Sequence, residues 1–199
     1  MLARSQRWKT GNSLDEHISL IRRQIQHSLD DSATHMLASA IVAGNFDNVI
    51  DPRTGEGVPA VPYYGRWYRG ARSWTDAQSL CRMRDYACEL TSIWNFGVLN
   101  LRYAQDQEGE DTYKTVRASL ESGAVDCDDF TIFFASLLKA IGFENLVARV
   151  VSVQGETWDH IYLLAKLPRG GWAAMDATEH GHHLGWEYTN VAAKRDFAL

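Results

Sequence analysis

The sequence predicts an α+β fold in which one central helix packs on an antiparallel sheet, preceded by an N-terminal helical extension. Three observations carry this. Residues 126–143 hold one long apolar pattern of helical period. Three short extended runs follow it between 146 and 175, separated only by turns. Two amphipathic helical patterns lie near the N-terminus, ahead of an aromatic, proline-rich stretch. At 199 residues the chain has the size of one domain with an extension. A hydrophobic content of 45% with 23% charged residues excludes a disordered, collagenous or disulfide-scaffold protein.

The first helix is expected over residues 13–29. Ser13 and Glu16 form a capping box, and Leu14, Ile18, Ile21, Ile25 and Leu29 recur at helical steps. Asp30, Asp31 and Ser32 interrupt the pattern. A second helix carries Met36, Leu37, Ala40 and Ile41 and ends near Gly44. Each shows one apolar stripe, suited to packing on the body of the domain. Residues 45–74 then hold Pro52, Pro59 and Pro62 together with Tyr63, Tyr64, Trp67, Tyr68 and Trp74. This stretch reads as a long loop that either wraps the domain or docks a partner. The first helix is expected to be dispensable for folding, and Trp67 and Trp74 to be at least partly buried.

A long helix is expected from about Thr75 to Asn95, since Leu80, Met83, Ala87, Leu90 and Trp94 are spaced three and four apart. Leu99, Leu101 and Tyr103 alternate as in a short extended segment, residues 105–112 read as an acidic loop, and Thr115–Glu121 as one or two helical turns. In the strongest segment, Phe130, Phe133, Phe134, Leu137, Leu138 and Ile141 share one face. Asp126 is its N-cap, and Gly142 suits a left-handed cap. Leu146–Val153, His160–Leu167 and Trp172–Met175 follow as a meander.

Charge and cysteine usage narrow the function. Twenty basic against 25 acidic residues leave a net charge of −5, which argues against binding nucleic acid through phosphates. The basic cluster Arg4, Arg7 and Lys9 lacks a following apolar run, so no secretory signal is read, and no stretch is apolar enough to span a membrane. Cys81 and Cys88 fall seven residues apart in the expected helix, a rise of about 10 Å. A disulfide needs Cα atoms within about 7 Å. The pair therefore reads as two small buried hydrophobes, and the cysteine count suits a reducing compartment.

Cys127 is different, because it occupies the first position of the helix after Asp126. Unpaired amides and a partial positive charge there favour a thiolate and supply oxyanion donors. His160 opens the second extended run and Asp176 follows the third, so a meander brings them to one edge of the sheet. Nucleophile, base and orienting carboxylate then follow in chain order as Cys127, His160 and Asp176. Asp126, Asp128 and Asp129 oppose activation. An imidazolium about 4 Å from the sulfur contributes about 4 kcal/mol, and the helix end up to about 2 kcal/mol. The ion pair is expected to outweigh solvated carboxylates.

The blocks SGAVDCDDFTIFFASLLKAIGF, WDHIYLLAKL and GGWAAMDAT resemble the transglutaminase-like superfamily, with its papain-like cysteine fold. The resemblance extends upstream through IWNFGVLNLRYAQD and covers roughly residues 76–190. It implies a domain at 76–199, an extension at 1–75, and catalytic roles for Cys127, His160 and Asp176. The sequence is most similar to transglutaminase-like proteins of bacteriophages and prophages, which commonly read G-x-G-D-C-D-D. Gly123 is kept here and Val125 stands in for the second glycine.

The resemblance implies a cysteine-dependent acyl-transfer enzyme, either peptidase or amidase or of transglutaminase type. Its substrate would be a protein or peptide, other phage structural proteins would be its partners, and it would work in the host cytoplasm or the virion. The competing reading is a silent fold serving as a structural or docking component of a phage particle. No cofactor or metal is called for, although Glu179, His180, His182 and His183 offer metal-ligand chemistry and otherwise read as a polar loop. Trp158 reads equally as a pocket residue with an indole donor and as a packed hairpin tryptophan.

Overall fold

A computed structural model describes residues 5–9, 13–77, 81–82, 84–106, 110–153, 155, 158–179 and 181–199. The elements run β1 (Ser5–Lys9), α1 (Leu14–Leu29), α2 (Ser32–Ala43), β2 (Asp47–Ile50), β3 (Gly57–Tyr63), β4 (Arg66–Arg69), α3 (Trp74–Ala77), α4 (Tyr86–Asn100), β5 (Arg102–Tyr103), β6 (Glu110–Lys114), α5 (Val116–Ser122), β7 (Ala124–Val125), α6 (Cys127–Ala140), β8 (Leu146–Ser152), β9 (His160–Lys166), β10 (Trp172–Met175) and β11 (Ala193–Ala198). This is the expected α+β arrangement. The main sheet is antiparallel in the order β10-β9-β8-β11.

Helix α6 is the centre of the molecule. Every residue from Asp129 to Leu138 is buried. A helix apolar all round must be covered all round. Its cover comes from β9 with Ile161, Leu163 and Ala165, from α4 with Leu90, Ile93 and Phe96, and from α1 and α2. The capping box of α1 forms as expected. Its buried Ile18, Leu20, Ile21 and Ile25 belong to the same core as Phe130 and Phe133. Burying an aliphatic side chain contributes about 1.5–3 kcal/mol. Four of them approach the whole stability of a domain, about 5–15 kcal/mol. This burial runs against the expectation that the first helix is dispensable for folding.

The aromatic stretch wraps the body, but as a three-stranded sheet β2-β3-β4 rather than a loop. Pro59 and Pro62 lie in its middle strand, a position that prolines normally avoid. The register explains why they are tolerated. The Gly70 amide donates to the Pro59 carbonyl, so Pro59 faces the β4 side, but β4 ends at Arg69 opposite Ala60. Pro62 faces the β2 side by alternation, past the start of β2 at Asp47. Each missing N–H falls where the neighbouring strand has run out. Tyr63 is buried, whereas Trp67 and Trp74 are 50% and 37% exposed, more open than the sequence suggests.

Three further expectations are corrected. The helix over 75–95 is two helices, with Arg84 in the left-handed region (φ 63°) before the Asp85 N-cap of α4. Leu80 and Met83, which supported one continuous helix, lie outside the described residues. Because the chain turns back there, Cys81 and Cys88 come to a Cα separation of 5.4 Å and form a disulfide. The argument from a regular helix fails with the helix, and so does the inference of a reducing compartment. The acidic segment is in part a strand, β6, paired antiparallel with β1. The C-terminal residues form β11, the edge strand beside β8.

Gly97 fixes how closely α4 approaches α6. A Cβ at that position would sit 2.5 Å from the Phe134 ring. That ring is fully buried and stacks on Trp94 at 5.5 Å, so it has little room to yield. Gly97→Ala should destabilise the protein by about 1–3 kcal/mol, despite the better helix propensity of alanine. Urea unfolding measures this, and an unchanged midpoint would show that the helices separate freely.

Candidate active site

The site is built at the N-terminus of α6 and the adjoining edge of the main sheet. Strand β7 pairs in parallel with β5, which delivers the chain to Asp126 and sets Tyr103 beside the helix start. The Asp126 carboxylate accepts the Asp129 amide at 3.0 Å, as an N-cap should, and Cys127 is the first helical residue. It is the free cysteine of the chain. The backbone amides of Ile161 and of Asp128 act on its thiol, favouring the charged form. Ile161 is the second residue of β9, so the nucleophile candidate lies against the strand that begins with His160.

His160 and Asp176 meet as the meander predicts. Met175 pairs with Leu163, which puts Asp176 diagonally across from His160 on the same face. His160 Nε2 lies 2.8 Å from Asp176 Oδ2. The carboxylate is 2% exposed, and its other oxygen accepts the Thr178 amide at 3.1 Å and hydroxyl at 2.7 Å. Burial alone would raise the Asp176 carboxyl. His160 and the two donors of Thr178 outweigh it and hold the group below the usual carboxylate range. Asp176 is thus a fixed anion.

The thiol differs from the sequence expectation. Burial first, and then the charges of Asp128 and Asp126, push it well above its usual value, against the pull of the Ile161 and Asp128 amides. The resting group is a thiol rather than a thiolate. Nor are the neighbouring carboxylates all solvated. Asp129 is fully buried, accepts the Lys114 amide at 2.7 Å and pairs with the Lys114 ammonium. Asp126 is buried too, and burial with the charges of Asp129 and Asp128 raises its carboxyl. Only Asp128 keeps part of its surface open.

Sequence reasoning assigns no functional role to Tyr103, Tyr188 or Trp186 near the site, and offers His182 only as a metal-ligand candidate. The phenols of Tyr103 and Tyr188 are pushed up to about 12, by burial first, with Cys127 among the neighbouring charges of both. They remain neutral donors at physiological pH. His182 packs face to face on Trp186 at 3.5 Å, and its Nδ1 lies 3.8 Å from Asp176 Oδ2. His183 is exposed, its Nδ1 3.2 Å from the Leu184 carbonyl. His180 lies outside the described residues, among which no group of three or more acidic, His or Cys side chains could hold a metal. Trp158 is exposed. No periodicity marks these positions, and Tyr103 alone stood in a recognisable alternation.

Compared with known families, residues 74–177 match the model of the transglutaminase-like superfamily. This is more than half of the chain. The chain belongs to the transglutaminase-like superfamily. The match begins at α3 and ends just past Asp176, so it contains Cys127, His160 and Asp176. No curated protein matches the chain. Transglutaminase-like proteins are typically cysteine-dependent enzymes of acyl transfer or proteolysis that act on protein substrates. Among the described residues, no helix of this transglutaminase-like protein is long and apolar enough to cross a membrane.

One variant tests the electrostatics of this transglutaminase-like site. Asparagine caps a helix as well as aspartate does. Asp126→Asn should therefore keep the cap; because burial pushes the Asp126 carboxyl up to about 9, it already holds its proton near neutral pH, so alkylation of Cys127 should speed up only above that value, where the wild type gains a charge beside the sulfur. The sign for stability follows from the raised carboxyl. A folded state that holds its proton more tightly is favoured below the unfolded value of 3.8 and loses that advantage as pH rises through the raised value. The variant should flatten this slope in thermal melts. Alkylation unchanged at alkaline pH as well would remove Asp126 as a brake on the thiol.

Proposed function

We propose that the chain is a cysteine-dependent acyl-transfer enzyme with Cys127 as nucleophile, His160 as base and Asp176 as the orienting carboxylate. The observation that carries this is the 2.8 Å contact of His160 with the buried Asp176, on the strand whose next amide, that of Ile161, favours the Cys127 thiolate. With Nε2–H donated to Asp176, Nδ1 of His160 is the basic nitrogen. Cys127 attacks an amide carbonyl as its proton passes to His160, because the resting group is a thiol. The amides at the start of α6 hold the oxyanion. His160 then returns the proton to the leaving amine, which departs and leaves a thioester on Cys127. Water releasing the acyl group makes the reaction hydrolysis, and a primary amine makes it cross-linking. Hydrolysis is the preferred outcome, since water needs no dedicated site.

The competing reading is a silent member of the superfamily that docks into a phage particle. It draws on the raised thiol and on the exposed Trp67 and Trp74. The phage source and the virion or host-cytoplasm location rest on the likeness of the sequence blocks. Reaction with a thiol-directed acyl probe separates the two. Because Cys81 and Cys88 are joined, an unreduced sample reports on Cys127 alone. Labelling that disappears in Cys127→Ala supports the enzyme. A folded wild type that resists the probe across neutral pH supports the silent fold.

A further inference from the structure

His182 is a partly buried titratable side chain that the chemistry above leaves unused. It lies in the loop after β10, where its amide donates to the Glu179 carbonyl at 3.3 Å. Its ring stacks on Trp186 at 3.5 Å, with Tyr188 edge-on at 6.2 Å. These contacts leave the side chain 14% exposed and fix the plane of the ring. Nδ1 then faces Asp176 Oδ2 at 3.8 Å, the same oxygen that His160 Nε2 holds at 2.8 Å. This Nδ1 is closed to solvent and makes no hydrogen bond among the described residues. A buried ring nitrogen without a partner is costly and calls for a reason. The second Asp176 oxygen is tied to Thr178, so two imidazoles have claims on one carboxylate oxygen.

We propose that His182 is a positioning residue of this site: by sharing Asp176 Oδ2 with His160, it sets how firmly the carboxylate holds the His160 ring. The proposal rests on the reading of Cys127, His160 and Asp176 as one site. When His160 takes the Cys127 proton, its imidazolium gains a charge-assisted bond to Asp176 and His182 stays apart. When His182 is the protonated ring, its cation draws Oδ2 across the gap, and His160 loses its orienting partner. A second cation beside the first is disfavoured, so the two rings titrate as a coupled pair. Tyr188 from the C-terminal segment lies edge-on to both rings and Tyr162 on β9 lies beside His160, with Glu179 among the charges acting on Tyr188. Cys127 and Tyr103 stand across the site.

Proton NMR of the histidine ring signals in the full chain, from about pH 5 to about pH 9, tests this. In the wild type, the His160 and His182 ring signals should each show the protonation of the other as a second inflection. In His182→Phe, which keeps the stack on Trp186, His160 should titrate in one step at higher pH. The pH profile of Cys127 alkylation by iodoacetamide should move with it. Independent single-step titrations in the wild type would overturn the proposal, as would a His160 curve unchanged by His182→Phe. If the phenylalanine variant fails to fold, the wild-type curves decide alone. A different failure, alkylation indifferent to His160→Ala, would overturn the acyl-transfer reading and leave the coupling measurement standing.

Discussion

His160→Ala should slow acylation of Cys127 by a substrate-like probe about 10²–10⁴-fold while leaving the fold intact. The size of the effect follows from the state of the thiol. Burial and two flanking carboxylates hold Cys127 in its protonated form, so attack requires a base at that moment. No other group in the site is as well prepared for the role. His160 is held by a fixed anion, whereas Tyr103 and Tyr188 keep their protons to about pH 12. The pH dependence should change as well. Without His160 the rate should follow thiolate alone and keep rising into the alkaline range. Equal rates for both proteins near neutral pH would show that the thiol finds its base elsewhere.

The parts of the site written in local sequence were legible before the structure. Asp126, Cys127 and the phenylalanines after them specify a capped, buried helix, and the cap forms at the expected residue. The meander is local too. His160 and Asp176 lie 16 residues apart on strands joined by a short turn, and their meeting follows from counting along the ladder. What remained hidden depends on distant partners. β1 meets β6 across about a hundred residues, and β11 is an edge strand whose polar residues carry no alternation. The break before α4 rests on Arg84 in a left-handed conformation, which a non-glycine residue does not advertise. The burial of Asp129 was hidden for the same reason. Its partner Lys114 comes from the end of β6, just past the residues that read as an acidic loop.

That partner gives the largest stability effect. Lys114→Met should destabilise the protein by about 3–5 kcal/mol, because it leaves the carboxylate of Asp129 buried without a cation. Asp129 is 0% exposed, while the Lys114 amide and ammonium occupy its two oxygens. The two partners shift differently. Burial would lower Lys114, but Asp129 keeps its ammonium above the usual value. Burial outweighs even Lys114 at Asp129, whose carboxyl stands at about 6 rather than 3.8. Removing the cation must raise it further. A carboxyl raised in the folded state stabilises at low pH, and that contribution is lost as pH rises through the raised value. The deficit of Lys114→Met should therefore be small at about pH 5, where Asp129 takes up a proton, and largest at about pH 8. Adding Asp129→Asn should recover part of the loss at the higher pH by removing the stranded charge. Because Asp129 is bound to the Asp126 cap through its amide, the damage should reach the start of α6 and slow Cys127 chemistry under the same conditions. Urea titrations at the two pH values decide the matter. A deficit independent of pH would mean that Lys114 contributes packing and not charge.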